Sequence, residues 1–239
     1  MLFRSREIKI ESAAYKKLDN FWYYYKWHVI VALFVIFAVI VCTVQACSRE
    51  KEDIQIIYAG GSYIEGDAYL EISKALSSVL PEDFDGDGKK NVGFVNYQIY
   101  SQEEIEELEK ITLPDGTKNV VDKAQNSSNM TSYSSYMMTG EVSVCFLSED
   151  LFENLKKNDR LRPLSDIFEE IPDSSYDEYG IKLSETDFYK YNSSIRAMAE
   201  DTVICLMRQT VVGTSSNDEE YKKAVETFKA IAQFSIIVE

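Results

Sequence analysis

Histidine is almost missing from this chain. Among 239 residues there is only His28, and it stands in an aromatic run beside a long apolar stretch. Residues 48–239 contain none, which removes Ser-His-Asp and Cys-His catalysis, histidine-ligated zinc and the commonest general base from that part of the chain. Cysteine is scarce as well: Cys42 and Cys47 lie in or beside the apolar stretch, and only Cys145 and Cys205 fall beyond it. That is no disulfide scaffold. Both of the latter sit in apolar runs, Val142–Leu147 and Thr202–Met207, which could be neighbouring strands of a sheet; a pair of free thiols and a single bridge both stay open.

Positive charge is the third shortage. Residues 1–26 hold six basic side chains against three acids, so the rest of the chain carries 19 basic and 37 acidic residues, a net charge of −18. Such a surface repels nucleic acid and anionic headgroups, leaving cations, basic partners and neutral ligands. A carboxylate enzyme needs two acids facing each other across a cleft, and with so many acids no spacing singles out a pair. The expectation is a protein that is not an enzyme.

What is present begins with Val29–Val44, sixteen residues whose only polar side chain is Thr43. Extended to Trp27–Ala46 the segment is twenty residues, on the order of 30 Å as a helix, which is the hydrocarbon thickness of a bilayer. Lys26 and Arg49 lie outside it, and the basic residues Arg4, Arg6, Lys9, Lys16, Lys17 and Lys26 all precede it. The positive-inside rule then predicts a cytoplasmic N-terminus and an extracellular C-terminal part. Phe21–Trp27 reads as an interfacial aromatic belt that includes His28. A second reading is a lipoprotein signal with its anchor at Cys47, since Val44-Gln45-Ala46-Cys47 ends the run with a small residue before a cysteine. The expected division is a juxtamembrane segment 1–26, a span 27–46, a linker 47–53 and an extracellular domain 54–239.

Within that domain, Ile54–Ala59 reads as a strand buried on both faces and closed by Gly60-Gly61. Tyr69, Ile72, Leu76, Val79 and Leu80 mark one face of a helix over 67–80, and Asn91–Tyr100 is a second strand. A helix between two apolar strands implies a crossover and a parallel sheet. A short acidic helix over 103–110, a weaker helix over 120–139, a strand over 141–147, a helix capped by Ser148, a strand over 202–207 and a helix after Asn217 follow. Asn126, Asn129 and Asn192 begin N-x-[ST] sequons.

Asp83-Phe84-Asp85-Gly86-Asp87-Gly88-Lys89-Lys90-Asn91 has carboxylates at alternate positions, glycine at the sixth and an oxygen donor at the ninth. These are the first parts of a calcium loop, with Asp83, Asp85, Asp87, Asn91 and the Lys89 carbonyl as ligands. It resembles the EF-hand-like loops of dockerins and some solute-binding proteins. Lys90 at the eighth position and Phe94 at the twelfth depart from the pattern, and the missing bidentate Glu predicts weak binding of Ca2+ with a structural role. The competing reading is an Asp/Gly turn that needs no metal.

The segment TGEVSVCFLSEDLFENLKKNDRLRPLSDIF, residues 139–168, is similar to the part of type 2 periplasmic (extracellular) solute-binding proteins where a small-residue turn leads to a core strand, a helix and a "g-x-L-x-P-L-x-D" run. Asp159 stands where that pattern has glycine. The resemblance implies an α/β fold: one transmembrane helix followed by a single lobe with a mostly parallel sheet. FWYYYKWH before the span, joined to such a lobe, also looks like uncharacterised anchored proteins of Gram-positive clostridial bacteria.

In an open parallel sheet, ligands bind beyond the carboxyl ends of the strands. Here those ends are Gly60, Gly61, Ser62 and Tyr63, then Tyr100 and Ser101, then Ser148 and Glu149, which suit a small polar ligand; the same residues also serve as turns and helix caps. Two functions follow: a membrane-anchored solute-binding domain serving transport or sensing, or an interaction module that binds a protein partner in the cell envelope.

Overall fold

The computed structural model describes residues 13–47 and 52–235, and the chain divides into two compact units after Glu50. Arg4, Arg6, Glu7, Lys9 and Glu11 of the basic flank, residues 48–51 of the expected linker and the last four residues lie outside the described residues.

The first unit is a single helix, α1 (Ala13–Cys47), of 35 residues. Phe21–Val44 within it has 24 residues, with an 18-residue window of mean hydropathy 2.7, long and apolar enough to cross a membrane. The lone hydroxyl of Val29–Val44 needs no water: Thr43 Oγ1 donates to the Val39 carbonyl at 2.7 Å, the back-bond by which threonine satisfies itself in a helix. In the first part of this stretch Phe21 stacks on Tyr25 at 5.1 Å, Tyr25 meets His28 edge-on at 5.9 Å, and Lys26 Nζ lies 5.9 Å from the Tyr23 ring. His28 thus belongs to an aromatic cluster.

The second unit is an α/β domain. Its elements in order are β1 (Ile54–Gly60), α2 (Gly66–Val79), β2 (Val92–Gln98), α3 (Gln102–Leu108), α4 (Lys123–Thr139), β3 (Val144–Leu147), α5 (Glu149–Lys157), β4 (Gly180–Lys182), α6 (Asp187–Tyr191), β5 (Val203–Leu206) and α7 (Asp218–Ala232). The sheet order is β2-β1-β3-β5-β4. One face packs on α2 and α7, through Ile72, Leu76, Phe228 and Ile231; the other packs on α4 and α5, through Tyr133, Met137, Leu151 and Phe152. Because β1 lies in the middle with helices on both sides, alternation is lost and Ile56–Ala59 are all fully buried. In α2 the buried Ile72, Ala75, Leu76 and Val79 repeat at helical spacing on one stripe.

The expectation of a mostly parallel sheet needs correction. β1 pairs in parallel with β2 and β3, but β5 runs antiparallel to both β3 and β4, so two of the four pairings are antiparallel and the sheet is mixed. β4 has only three residues, too few to show a period. The chain leaves β4 and re-enters β5 at the same end of the sheet, as antiparallel neighbours require, and the Leu183 N–H bonds the Thr202 carbonyl across the start of this connection. Cys145 and Cys205 are register partners on β3 and β5; both are fully buried and both are free thiols.

Two local features explain residues that sequence propensity disfavours. α4 carries Asn126-Ser127-Ser128-Asn129 in its body, a poor helix-forming run. Its Asn side chains serve the edge strand instead: Asn126 accepts from Tyr100 N–H at 2.9 Å and donates to Tyr100 O at 3.0 Å, while Asn129 donates to Gln98 O at 2.8 Å. They occupy backbone groups that an edge would otherwise leave open for pairing, so these two sequon amides are engaged within the fold. At the other end of the sheet, α5 closes with a Schellman turn in which Asp159 N–H bonds Lys156 O and Arg160 N–H bonds Leu155 O, each at 3.0 Å. Such a turn needs a left-handed residue, and Asp159 has φ 54°, the only non-glycine among the described residues with positive φ.

Replacing Asp159 by Gly relieves about 1 kcal/mol of left-handed strain but loses an exposed ion pair to Arg208 and adds unfolded-chain entropy. The expected net change runs from nil to about 1 kcal/mol of stabilisation, whereas Asp159→Val costs about 1–2 kcal/mol. Asn126→Ala is expected to cost about 1–2 kcal/mol, because Tyr100 then keeps only water as a partner. Urea midpoints followed by far-UV circular dichroism check all three.

Candidate functional site

The carboxyl ends of β1, β2 and β3 open on one side of the sheet, and three turns gather there. After β1, the Gly60 carbonyl still takes the Ile99 N–H at 2.9 Å, and the Gly61 carbonyl takes Gln98 Nε2 at 3.3 Å. A Cβ on Gly61 would stand 3.2 Å from the Tyr100 ring and 3.3 Å from a Glu104 carboxylate oxygen, so close packing is what reserves this position for glycine. The Ser62 N–H bonds the buried Tyr58 hydroxyl at 3.1 Å. After β2, Ser101 opens α3 with a complete capping box: its hydroxyl accepts the Glu104 N–H at 3.2 Å and its own N–H bonds Glu104 Oε2 at 2.6 Å. After β3, the Ser148 N–H bonds the Ala59 carbonyl at 2.9 Å and α5 begins.

Ser148 differs from Ser101 in one respect that matters. Its hydroxyl makes no cap hydrogen bond and no other among the described residues, although the residue is only 6% exposed. Nor is that oxygen sealed inside the protein, since the fully enclosed side-chain atoms lacking a partner are Asn91 Nδ2, Tyr133 Oη and Thr227 Oγ1. Ser148 lines two adjoining cavities, and they share Ser101, Ser148 and Asp150. The inner cavity, about 330 Å³, is bounded by Ile99, Met130, Tyr133 and Leu151 together with serines and Asn154. The outer one, about 350 Å³, is bounded mainly by carboxylates. The hydroxyl faces this double cleft.

The groups around the cleft are held in their neutral or paired states by their neighbours. The Tyr176 hydroxyl donates to Glu149, and that bond pushes the phenol up to about 12. Burial raises Tyr133, and it raises Tyr100 with help from the Glu104 charge. Burial also pushes the Cys205 thiol up, reinforced by Cys145, which makes Cys205 a poor nucleophile. Gln98 Nε2 further donates to the Tyr100 hydroxyl at 2.7 Å.

Of the residues expected at the strand ends, Ser101, Ser148 and Glu149 come together at the outer cavity. Tyr100 lines a separate recess of about 70 Å³ with Gln98 and Asn126. Gly60, Gly61, Ser62 and Tyr63 do not line these cavities; the first three build the turn, and Tyr63 is two-thirds exposed. Sequence reasoning missed Asp201, which reaches the outer cavity from the connection into β5. Only the antiparallel placement of β5 brings it there.

The acidic loop over 83–91 is closed by its own hydrogen bonds. Asp83 accepts from Gly86 N–H at 2.8 Å and Gly88 N–H at 2.7 Å, Asp85 from Asp87 N–H at 3.0 Å, and Asp87 from Lys89 N–H at 2.8 Å. The Gly88 bond is the foremost reason that the Asp83 carboxyl lies below the usual range. At its centre stands a residue assigned from sequence to the linker. Asp53 is 5% exposed, and its carboxylate accepts from Phe84, Asp85 and Asn91 N–H at 2.7, 3.0 and 2.8 Å. Oxygens of Asp53, Asp83 and Asp85 lie within 4.8 Å of one another, a donor set of the hard type that a divalent cation accepts. Asp87 and Asn91 are outside that trio, and Asn91 Nδ2 is buried without a partner. Phe94, at the twelfth position, is buried in the core against Tyr69. The signal for Asp53 was the strand register: Ile54 opposite Val92 makes residue 53 the neighbour of residue 91.

Asp53→Ala removes the acceptor of three backbone N–H groups and is expected to lower stability by about 3 kcal/mol or more, against little change for Asp87→Asn on the exposed rim. Asp83 has a depressed folded pKa, so its contribution is complete above about pH 4, the unfolded value, and fades as pH falls through the lower folded value. Urea titrations at pH 7 and pH 3 for the parent and Asp83→Asn measure this: the two proteins should differ at pH 7 and converge in acid. The chain matches no protein-family profile, no curated protein and no solved structure.

Proposed function

We propose that this protein is a membrane-anchored extracellular binding domain of the solute-binding kind, non-catalytic, which holds a small ligand in the cleft beyond β1, β2 and β3 in the service of transport or sensing. The observation that carries this reading is the Ser148 hydroxyl, buried to 6% exposure, without a partner, and facing an apolar cavity that opens into a charged one. Folds satisfy buried polar groups, and one left free at a cleft is a place kept for a ligand or its water. The same fact argues against chemistry: a serine nucleophile needs a base within hydrogen-bond reach, and Ser148 has none among the described residues. The left-handed conformation at Asp159, where the resemblance has glycine, supports the kinship with a type 2 solute-binding lobe.

A second reading, an interaction module for an envelope protein, draws on Met138, Val211 and Val212, which are 74%, 95% and 53% exposed. Gly140, two residues after Met138, packs against the Val212 carbonyl. The first reading also includes weak Ca2+ binding by Asp53, Asp83 and Asp85, which would stiffen the start of β1 against the loop. Absence of heat on titration with millimolar calcium removes that part.

Anchorage by α1 with the N-terminus inside rests on the basic flank and the apolar run. Protease added to intact cells is then expected to digest the domain, and a tag ahead of Met1 is expected to survive. The intact mass of membrane-extracted protein separates the two anchors: a full-length chain for α1, and a lipid-bearing chain starting at Cys47 for the lipoprotein. For function, thermal unfolding of the full chain in detergent is to be screened against sugars, amino acids, short peptides and amines. A rise of several degrees in the melting temperature that Ser148→Leu removes is the expected result; no rise with any compound would sink the binding reading.

A further inference from the structure

The cleft has a chemical character that narrows its ligand. This step rests on the reading of the cleft as a binding site. Its inner part offers the apolar edges of Ile99, Met130, Tyr133 and Leu151 with neutral polar groups between them, and no charged side chain besides Asp150 at the mouth. The outer part is lined by seven carboxylates and a single ammonium, Lys157. Three of those acids are already engaged: Glu104 in the capping box, Glu149 with Tyr176, and Glu153 with Lys156. Glu103, Glu107, Asp150 and Asp201 have no partner among the described residues. Charge on this scale in a concave wall raises the local concentration of cations and excludes anions.

One force points the other way. Ser148 caps α5, and a helix N-terminus carries about half a positive charge that favours anions. Glu149 and Asp150, in the first turn of that helix, each bring a full negative charge to the same place, so the sign at the junction is set by the carboxylates. The junction itself is lined by Ser148, whose unpartnered oxygen can accept from an N–H donor, and by Asp150, whose carboxylate has no partner among the described residues. Behind it lies an apolar cavity of about 330 Å³.

We infer that the ligand of the strand-end cleft is a small organic amine: an ammonium group held between Ser148 Oγ and Asp150 at the junction, its aliphatic stem in the inner cavity, and any second cationic group among Glu103, Glu107 and Asp201. Sugars lack the charge that the outer wall calls for, and carboxylate-bearing solutes meet repulsion there. Inorganic cations match the charge but leave the apolar cavity empty.

The test uses the full-length protein in detergent, titrated calorimetrically with four probes: 1,6-diaminohexane, 1,6-hexanediol, adipate and glucose. The diamine alone is expected to bind. Its affinity should fall about tenfold in Asp150→Asn, about threefold to tenfold in Ser148→Ala, and beyond detection in Ser148→Leu, which fills the junction. The Ser148 side chain accepts no cap bond, so the unliganded melting temperature and far-UV spectrum of Ser148→Ala should match the parent. Diamine binding that survives both Asp150→Asn and Ser148→Leu would be diffuse attraction to an acidic surface and would overturn the assignment. Binding of glucose, adipate or the diol, lost in Ser148→Leu while the diamine does nothing, would overturn the amine class and leave the cleft as a binding site. No binding by any probe would overturn the amine inference, and with a blank from the wider compound screen it would end the binding reading as well.

Discussion

Strand β1 has water on neither face, and the rest of the domain is arranged around that constraint. Ile56, Ile57, Tyr58 and Ala59 are wholly withdrawn from solvent, so each face must be covered by helices and each edge by another strand. α2 and α7 cover one side, α4 and α5 the other, and β2 and β3 take the edges. Backbone groups in so dry a place must be paired, and the chain can be freed only where the sheet ends. Both ends of β1 are therefore sites of dense polar organisation. At its start Asp53 gathers three N–H groups from the acidic loop. At its finish Gly60-Gly61 turns away, and the Tyr58 hydroxyl takes the Ser62 N–H and, at 3.5 Å, that of Ala199.

Much of this was legible in the sequence, for a physical reason in each case. The buried part of a strand covered on both faces must be continuously apolar, and Ile56–Ala59 is. A helix packed on a sheet must repeat its apolar residues, and 67–80 does. The apolar stretch after the aromatic belt was as plain, although α1 begins at Ala13, ahead of that stretch. What escaped was whatever depends on distant pairing. β4 is three residues held by β5, and no local period announces it; with β4 unseen, the reversal of β5 and the arrival of Asp201 at the cleft were out of reach. Asp53 looked like linker because its partners are more than thirty residues away. Asn126 and Asn129 read as a weakness in α4, whereas their side chains repay the lost propensity through hydrogen bonds to an edge strand.

The two units place opposite demands on charge. A helix that crosses a bilayer tolerates almost none, and Phe21–Val44 carries only Lys26, at its beginning. The second unit carries a large excess of acid, and ion pairs among the described residues neutralise only part of it. Most of those pairs are exposed and local, such as Lys74 with Glu71 and Lys190 with Asp187, and contribute little. The stability of the fold therefore comes from its two apolar layers and from a few buried polar anchors. The surface acids are left free to set its electrostatic character.

Two serines show how far a residue's role depends on its neighbours. Ser101 and Ser148 each follow a strand, each precede a helix rich in acid, and from sequence each is a helix cap. Ser101 has Glu104 three residues on, the spacing that closes a capping box, and its hydroxyl is consumed there. Ser148 has Leu151 at the equivalent position. Leu151 is committed to the apolar layer beneath and cannot return a carboxylate, so the reciprocal half of the box is impossible. The Ser148 backbone still does a cap's work, since its N–H holds the Ala59 carbonyl and its carbonyl accepts from Phe152. Only the side chain is released. A hydroxyl that is not needed to start a helix, in a residue withdrawn from bulk water, is available to whatever enters the cleft, and that distinction separates the strand-end turn that organises the fold from the one that leaves its hydroxyl to the cleft.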